Sequence, residues 1–77
     1  MPGHDHTPER DVYFLSLVGS RFARMRNERV LSVAQVSKLS GLTRKSIYAF
    51  EAGENNIGLY KLYCLTKAID LELTDLL

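Results

Sequence analysis

The sequence predicts an all-α fold, a compact bundle of five short helices, and three observations predict it. Apolar residues recur at spacings of three and four in several windows, the period of a helix with one buried face, and no window alternates as a half-buried strand does. Ser or Thr stands just before these windows, where a helix needs a side chain to accept its first free N–H groups. Glycine stands just after two of them, at Gly41 and Gly53.

The first helix is expected over Pro8 to Asn27 or Glu28. Thr7 would cap it, Pro8 loses no needed N–H at the first helical position, and Glu9 suits the positive end of the helix dipole. Leu15, Val18, Phe22 and Met25 form its apolar stripe. Gly19 interrupts that helix at a cost of about 1 kcal/mol against alanine, which a close helix crossing would explain. Ser32 starts the second helix, with Gln35 placed three residues on for a capping box. Val33, Val36 and Leu39 are its expected inward face. Gly41 then ends it in the left-handed conformation open to glycine, Leu42 plugs the corner, and Thr43 caps the third helix. Ile47 and Phe50 are the buried side of that helix, and Gly53 ends it in the same manner. Two short helices joined within about three residues make a helix-turn-helix. After the polar run Glu54–Gly58, the fourth helix begins near Asn56 or Gly58, with Leu59, Leu62, Leu65, Ala68 and Ile69 as its stripe. Leu71 and Leu73 follow in a turn, and Thr74 caps a last short helix, Asp75 to Leu77.

Length and composition narrow the function. At 77 residues, 45% hydrophobic and 25% charged, the chain is one small globular domain over residues 7–77. Domains of this size bury only about 60% of the surface their unfolded chain exposes. No large substrate cavity fits beside such a core, so no enzyme is expected. No stretch approaches the ~20 apolar residues of a membrane span. Residues 1–11 are polar, without a signal-peptide pattern. The single cysteine, Cys64, forbids an internal disulfide and fits a reducing cytoplasm. It is read as a small apolar residue, because no histidine of the folded region can activate it. Residues 1–6, MPGHDH, are expected to form a flexible tail, and His4 and His6 have no further ligands with which to hold a metal. No cofactor is expected. Net charge is only +1, yet residues 21–45 hold Arg21, Arg24, Arg26, Arg29, Lys38, Arg44 and Lys45 against the single acid Glu28, a net +6. Asp70, Glu72 and Asp75 make the end of the chain acidic. The asymmetry suggests a basic face and an acidic back.

Val18-Gly19, Phe22, Met25-Arg26, Leu31-Ser32, Val36-Ser37, Ser40-Gly41-Leu42-Thr43, Ile47, Glu51-x-Gly53, Leu59, Leu62, Leu65, Ala68-Ile69, Leu71 and Leu76-Leu77 stand in an order that resembles the phage-repressor, Cro/cI-like (XRE) helix-turn-helix family, the lambda-repressor-like DNA-binding domains. The resemblance covers Val18 to Leu77. It implies a five-helix bundle whose third helix reads DNA, with Thr43, Arg44, Lys45, Tyr48 and Ala49 at base-reading positions. It implies phosphate contacts by Ser32, Ser46, Asn55 and Asn56, and a buried ion pair between Arg26 and Glu51. Val33, Ser37 and Ile57 depart from the family's usual glutamine, which is often a phosphate contact, alanine and proline.

The residue types suit those roles. An arginine can donate two bonds to guanine O6 and N7, each good bidentate pair discriminating by about 1–3 kcal/mol. Lys45 suits a base or a phosphate, Ala49 a thymine methyl, Tyr48 a phosphate or sugar edge. Ser46 and Thr43 are short donors for phosphates, which position without reading sequence. One such helix reads few base pairs, so a two-fold homodimer on a near-palindrome is expected. Tyr60, Tyr63, Leu73, Leu76 and Leu77 exceed the needs of one small core and are its expected seam.

The leading expectation is therefore a cytoplasmic, sequence-specific regulator binding double-stranded DNA. It would be a repressor or a controller protein of the restriction–modification type, which the chain resembles in size. Five helices leave no residues here for a ligand-sensing domain. The alternative is a protein-binding module of the same fold, such as an antitoxin covering a toxin, with Tyr13-Phe14 of the lengthened first helix as its extra surface.

Overall fold

The computed structural model describes residues 8–77, with side chains from Val12 onward. Four α-helices follow one another, α1 Pro8–Glu28, α2 Val33–Ser40, α3 Arg44–Glu51 and α4 Leu59–Ala68, and a 3-10 turn over Leu73–Leu76 closes the chain. The described residues contain no strand. The fold is all-α as expected, with a 3-10 turn in place of the fifth helix. The expected tail over residues 1–6, with His4 and His6, and the expected cap Thr7 lie outside the described residues.

α1 is the longest element. It packs against α3, α2 packs against both α3 and α4, and the 3-10 turn closes against α1 and α4. Val18, Phe22, Val33, Val36, Ile47, Phe50, Leu65, Ile69, Leu71 and Leu76 form the core, with Met25, Leu31, Leu42, Ile57, Leu62 and Ala68 packed around it. Phe22 and Phe50 meet edge to face, centroids 5.7 Å apart, which joins α1 to α3. Gly19 lies at this crossing. A Cβ there would come within 2.1 Å of the Phe50 carbonyl oxygen, so only glycine lets the two helices approach.

Two assignments of buried positions need correction, and one buried residue lies outside the expected stripes. Leu39 is 61% exposed. α2 has only eight residues, and its inward stripe runs through 33, 36, 37 and 40, which leaves Leu39 outside. Leu59, the first residue of α4, is 72% exposed. Thr66 takes an inner position on α4 in its place. Its hydroxyl donates to the Tyr63 carbonyl at 2.8 Å, so its burial strands no polar group. The closing turn also starts earlier than expected. Glu72, not Thr74, precedes it, and the Glu72 N–H donates to Asp75 Oδ2 at 2.8 Å.

Candidate nucleic-acid interface

The geometry of the α2–α3 unit follows from its caps. The Gln35 N–H donates to Ser32 Oγ at 3.0 Å and the Ser32 N–H donates back to Gln35 Oε1 at 2.7 Å, a complete capping box. α2 stops at Gly41, whose φ of 80° few side chains tolerate and whose N–H donates to the Ser37 carbonyl at 2.9 Å. The corner is then tied by hydroxyls. The Leu42 N–H donates to Ser40 Oγ at 3.2 Å, and Ser37 Oγ donates to the Leu42 carbonyl at 2.5 Å. Ser37, the departure from the usual alanine, therefore fastens the turn. Thr43 is extended, with φ −71° and ψ 152°, and its Oγ1 accepts from the Ser46 N–H at 3.1 Å. The chain has reversed within three residues, and α3 begins.

α3 turns Ile47 and Phe50 inward. Thr43, Arg44, Lys45 and Tyr48 are exposed, whereas Ser46 and Ala49 are half-buried. Thr43 Oγ1 also donates to Ser46 Oγ at 3.1 Å, so these two hydroxyls form one local pair. Ser32 is exposed at the start of α2. Asn56 is exposed and Asn55 half-buried in the segment before α4. Helices usually favour acids near their positive ends, yet α2, α3 and α4 have none in their first turns. Those ends are left available to an external anion.

The basic segment is less uniform than its composition suggests. Arg21 Nη1 donates to the carbonyls of Leu76 and Leu77, at 3.2 and 2.7 Å, and ties α1 to the end of the chain. Arg24 lies 3.9 Å from Glu28, an exposed pair worth little. Arg29 Nη1 donates to the Met25 carbonyl at 3.2 Å. Arg26 is joined to Glu51. Of the seven cations, Lys38, Arg44 and Lys45 remain without a carboxylate or carbonyl partner among the described residues. Lys38, expected only as part of the basic segment, and Gln35, expected only in the capping box, have no DNA contact among the expectations. They line a shallow recess between α2 and α3 together with Ala34, Ser37 and Arg44.

Arg26 and Glu51 set the orientation of α3. Arg26 Nε donates to Glu51 Oε2 at 2.6 Å and Nη2 donates to Oε1 at 2.9 Å, a fork matched to a carboxylate. The third nitrogen, Nη1, donates to the Leu31 carbonyl at 2.8 Å, so one guanidinium ties α1, the loop after it and the end of α3. The side chains are only 12% and 11% exposed. The hydrogen bonds to Glu51 hold the Arg26 pKa above its ordinary value, against the opposing effect of burial.

The helix-turn-helix family model matches residues 22–76, from the middle of α1 to the closing turn. The chain belongs to the helix-turn-helix family. It is 35% identical over 60 residues, 78% of each chain, to the uncharacterized HTH-type transcriptional regulator y4dJ of Sinorhizobium fredii (strain NBRC 101917 / NGR234). The restriction-modification controller protein C.AhdI from Aeromonas hydrophila has a similar structure, with a TM-score of 0.79 and 32% identity over 82% of this chain and 96% of that one. The family is one of DNA-binding regulators of transcription and not of enzymes.

In this helix-turn-helix protein the expected seam residues do not form one group. Tyr60, Tyr63 and Leu77 are exposed and Leu73 is half-buried. Leu76 is fully buried in the protomer's own core, which removes it from any seam. Its backbone carbonyl accepts from Arg21, and the closing turn packs against α1 and α4. Among the described residues no cluster of His, Cys, Asp and Glu could hold a metal ion, and no helix is long and apolar enough to cross a membrane.

Proposed function

We propose that the chain is a sequence-specific regulator of transcription that binds duplex DNA in the cytoplasm as a homodimer, with α3 of each copy in the major groove of one half of a near-palindromic site. The observation that carries this reading is the outward amino end of α3. Thr43, Arg44, Lys45 and Tyr48 are exposed together there, with no acid in the first turn. Arg44 reads a guanine edge, Lys45 a base or a phosphate, Ala49 meets a thymine methyl, and Tyr48 meets a phosphate or a sugar edge. Ser32, Thr43, Ser46, Asn55 and Asn56 hold phosphates, which fix register. The relatives support it, one an HTH-type transcriptional regulator and the other a restriction-modification controller protein.

Selection of bound duplexes from a random pool tests the reading. A near-palindromic preference is expected, and Arg44→Ala should lose it at one symmetric pair of positions, with a discrimination loss of about 1–3 kcal/mol. An unselected pool from the wild-type chain would refute it. That outcome would favour the second reading, a toxin-covering antitoxin or similar protein-binding module. The exposed side chains of Val12, Tyr13 and Phe14 on the first turns of α1 are the observation on its side.

A further inference from the structure

An apolar trough lies between α1 and the start of α4. Among the described residues α1 packs against α3 and the closing turn, but not against α4. Phe14 and Leu15 of α1 line one side of the trough, Ile57, Leu59 and Leu62 the other, and Phe50 of α3 adds to the lining. Its volume is about 220 Å³. An apolar cavity of about 150 Å³ takes a benzene molecule, so the trough has room for one aromatic ring. Val12, Tyr13, Phe14 and Leu59 are each more than half exposed. The α1 side stands before residue 22, where the family match begins, so it is an addition to the matched helix-turn-helix. Three observations point to a second copy of this chain as the occupant. The first is area. Tyr60, Tyr63 and Leu77 are each more than half exposed. With roughly 200 Å² on an aromatic side chain, these three offer only about 350 Å². A stable interface covers about 800 Å² on each partner, and in homodimers about 65% of that is apolar. The exposed residues at the trough add roughly 400 Å², enough to make up the difference. They are also continuous with that seam, because Leu59 and Tyr60 are neighbours on α4. The second is self-complementarity. A two-fold contact needs a patch that fits itself, and here a hollow for a ring stands beside an exposed ring, Tyr13. The third is charge. Val12 to Ser20 and Asn55 to Tyr60 hold no charged residue, so two copies meet there without like charges opposed.

We propose that the homodimer seam extends over this trough, with Tyr13 of each copy set into the trough of the other. The proposal rests on the homodimer reading above. It gives the lengthened first helix a task, since its first turns close a seam that Tyr60, Tyr63 and Leu77 leave too small.

The test is sedimentation equilibrium of the full chain without DNA, for the wild type, Tyr13→Glu, Leu59→Glu and Tyr13→Phe. Tyr13→Glu and Leu59→Glu should each raise the dimer dissociation constant about tenfold or more, as removal of a buried aromatic or its pocket does. Tyr13→Phe keeps the ring and should keep the wild-type constant. All three should melt with the wild type at concentrations where the protomer is alone. A wild type that dimerises with a constant both charged variants reproduce would overturn the trough contact and leave the Tyr60 seam standing, with the trough free for a different protein. A Tyr13→Glu protomer that melts below the wild type would assign Tyr13 to the fold and overturn the contact as well. A wild type that stays monomeric at high concentration would overturn the homodimer in solution and this contact with it.

Discussion

Val30 occupies left-handed backbone, φ 57°, although it is β-branched. Three helices end in the same way. The Leu31 N–H reaches the Arg26 carbonyl, the Glu54 N–H that of Ala49, and the Leu71 N–H that of Thr66, each with a left-handed residue just before the donor. Those residues are Val30, Gly53 and Asp70. At Gly53 the reason for glycine is twofold, since a Cβ would also come within 2.7 Å of Ser16 Cα. At Val30 the side chain is 86% exposed, so the backbone strain has no compensating contact. Val30→Asn should therefore raise stability by about 1 kcal/mol, read as a higher denaturation midpoint with an unchanged slope. An unchanged or lower midpoint would mean that the valine is relaxed. This separates what was legible from what was not. Gly41 and Gly53 announce left-handed turns because glycine is the residue that enters them freely. Val30 adopts the same conformation with no such signal, because closure of the helix end and not local preference imposes it, whereas Asp70 is of a residue type enriched there.

At the level of elements, the question is what keeps an eight-residue helix presented at a fixed angle. α3 is too short to be stable alone, so its conformation depends on contacts with α1 and α2. Thr43 caps one end, Ile47 and Phe50 anchor the middle, and Arg26 grips Glu51 at the other end. Removing Glu51 leaves a guanidinium facing a mostly buried site without its carboxylate. Glu51→Ala should cost about 3–5 kcal/mol of stability, measured by chemical denaturation. A variant that unfolds at the wild-type midpoint would show that the pair contributes no net stability. Two charged residues 25 positions apart have no spacing pattern of their own, so this pair was visible in the sequence only through the resemblance. The helix stripes were visible directly, because buried faces repeat. They misled at Leu39 and Leu59, where helix length and the edge of the core, both properties of the assembled fold, decide exposure. Thr66 was missed for the converse reason. A hydroxyl satisfied by its own helix can be buried like an apolar group, and hydropathy does not register that.

For the whole molecule, reach becomes the limit. Eight residues of α-helix extend about 12 Å, enough to follow only a few base pairs in the groove. A regulator that must find one site therefore gains from a second copy, with the two reading helices about 34 Å apart on the duplex. The proposed seam is built from Tyr60, Tyr63 and Leu77, apolar bodies exposed on α4 and at the end of the chain, with Leu73 at its border. Leu76 is no test of it, because a charge in that buried position would unfold the protomer. Tyr60→Glu and Leu77→Glu change exposed side chains and should leave the melting of the protomer unchanged at concentrations where the wild type is monomeric. Each should shift sedimentation equilibrium toward monomer. Each should also weaken binding to a two-half-site duplex by about 10²–10⁴-fold, the range that linking two sites supplies, while binding to a single half-site stays as it was. Affinity for the full site that survives both substitutions would place the seam elsewhere on the protein. A wild-type chain that sediments as a monomer without DNA, at concentrations that saturate a full site, would mean that the two copies meet only through DNA.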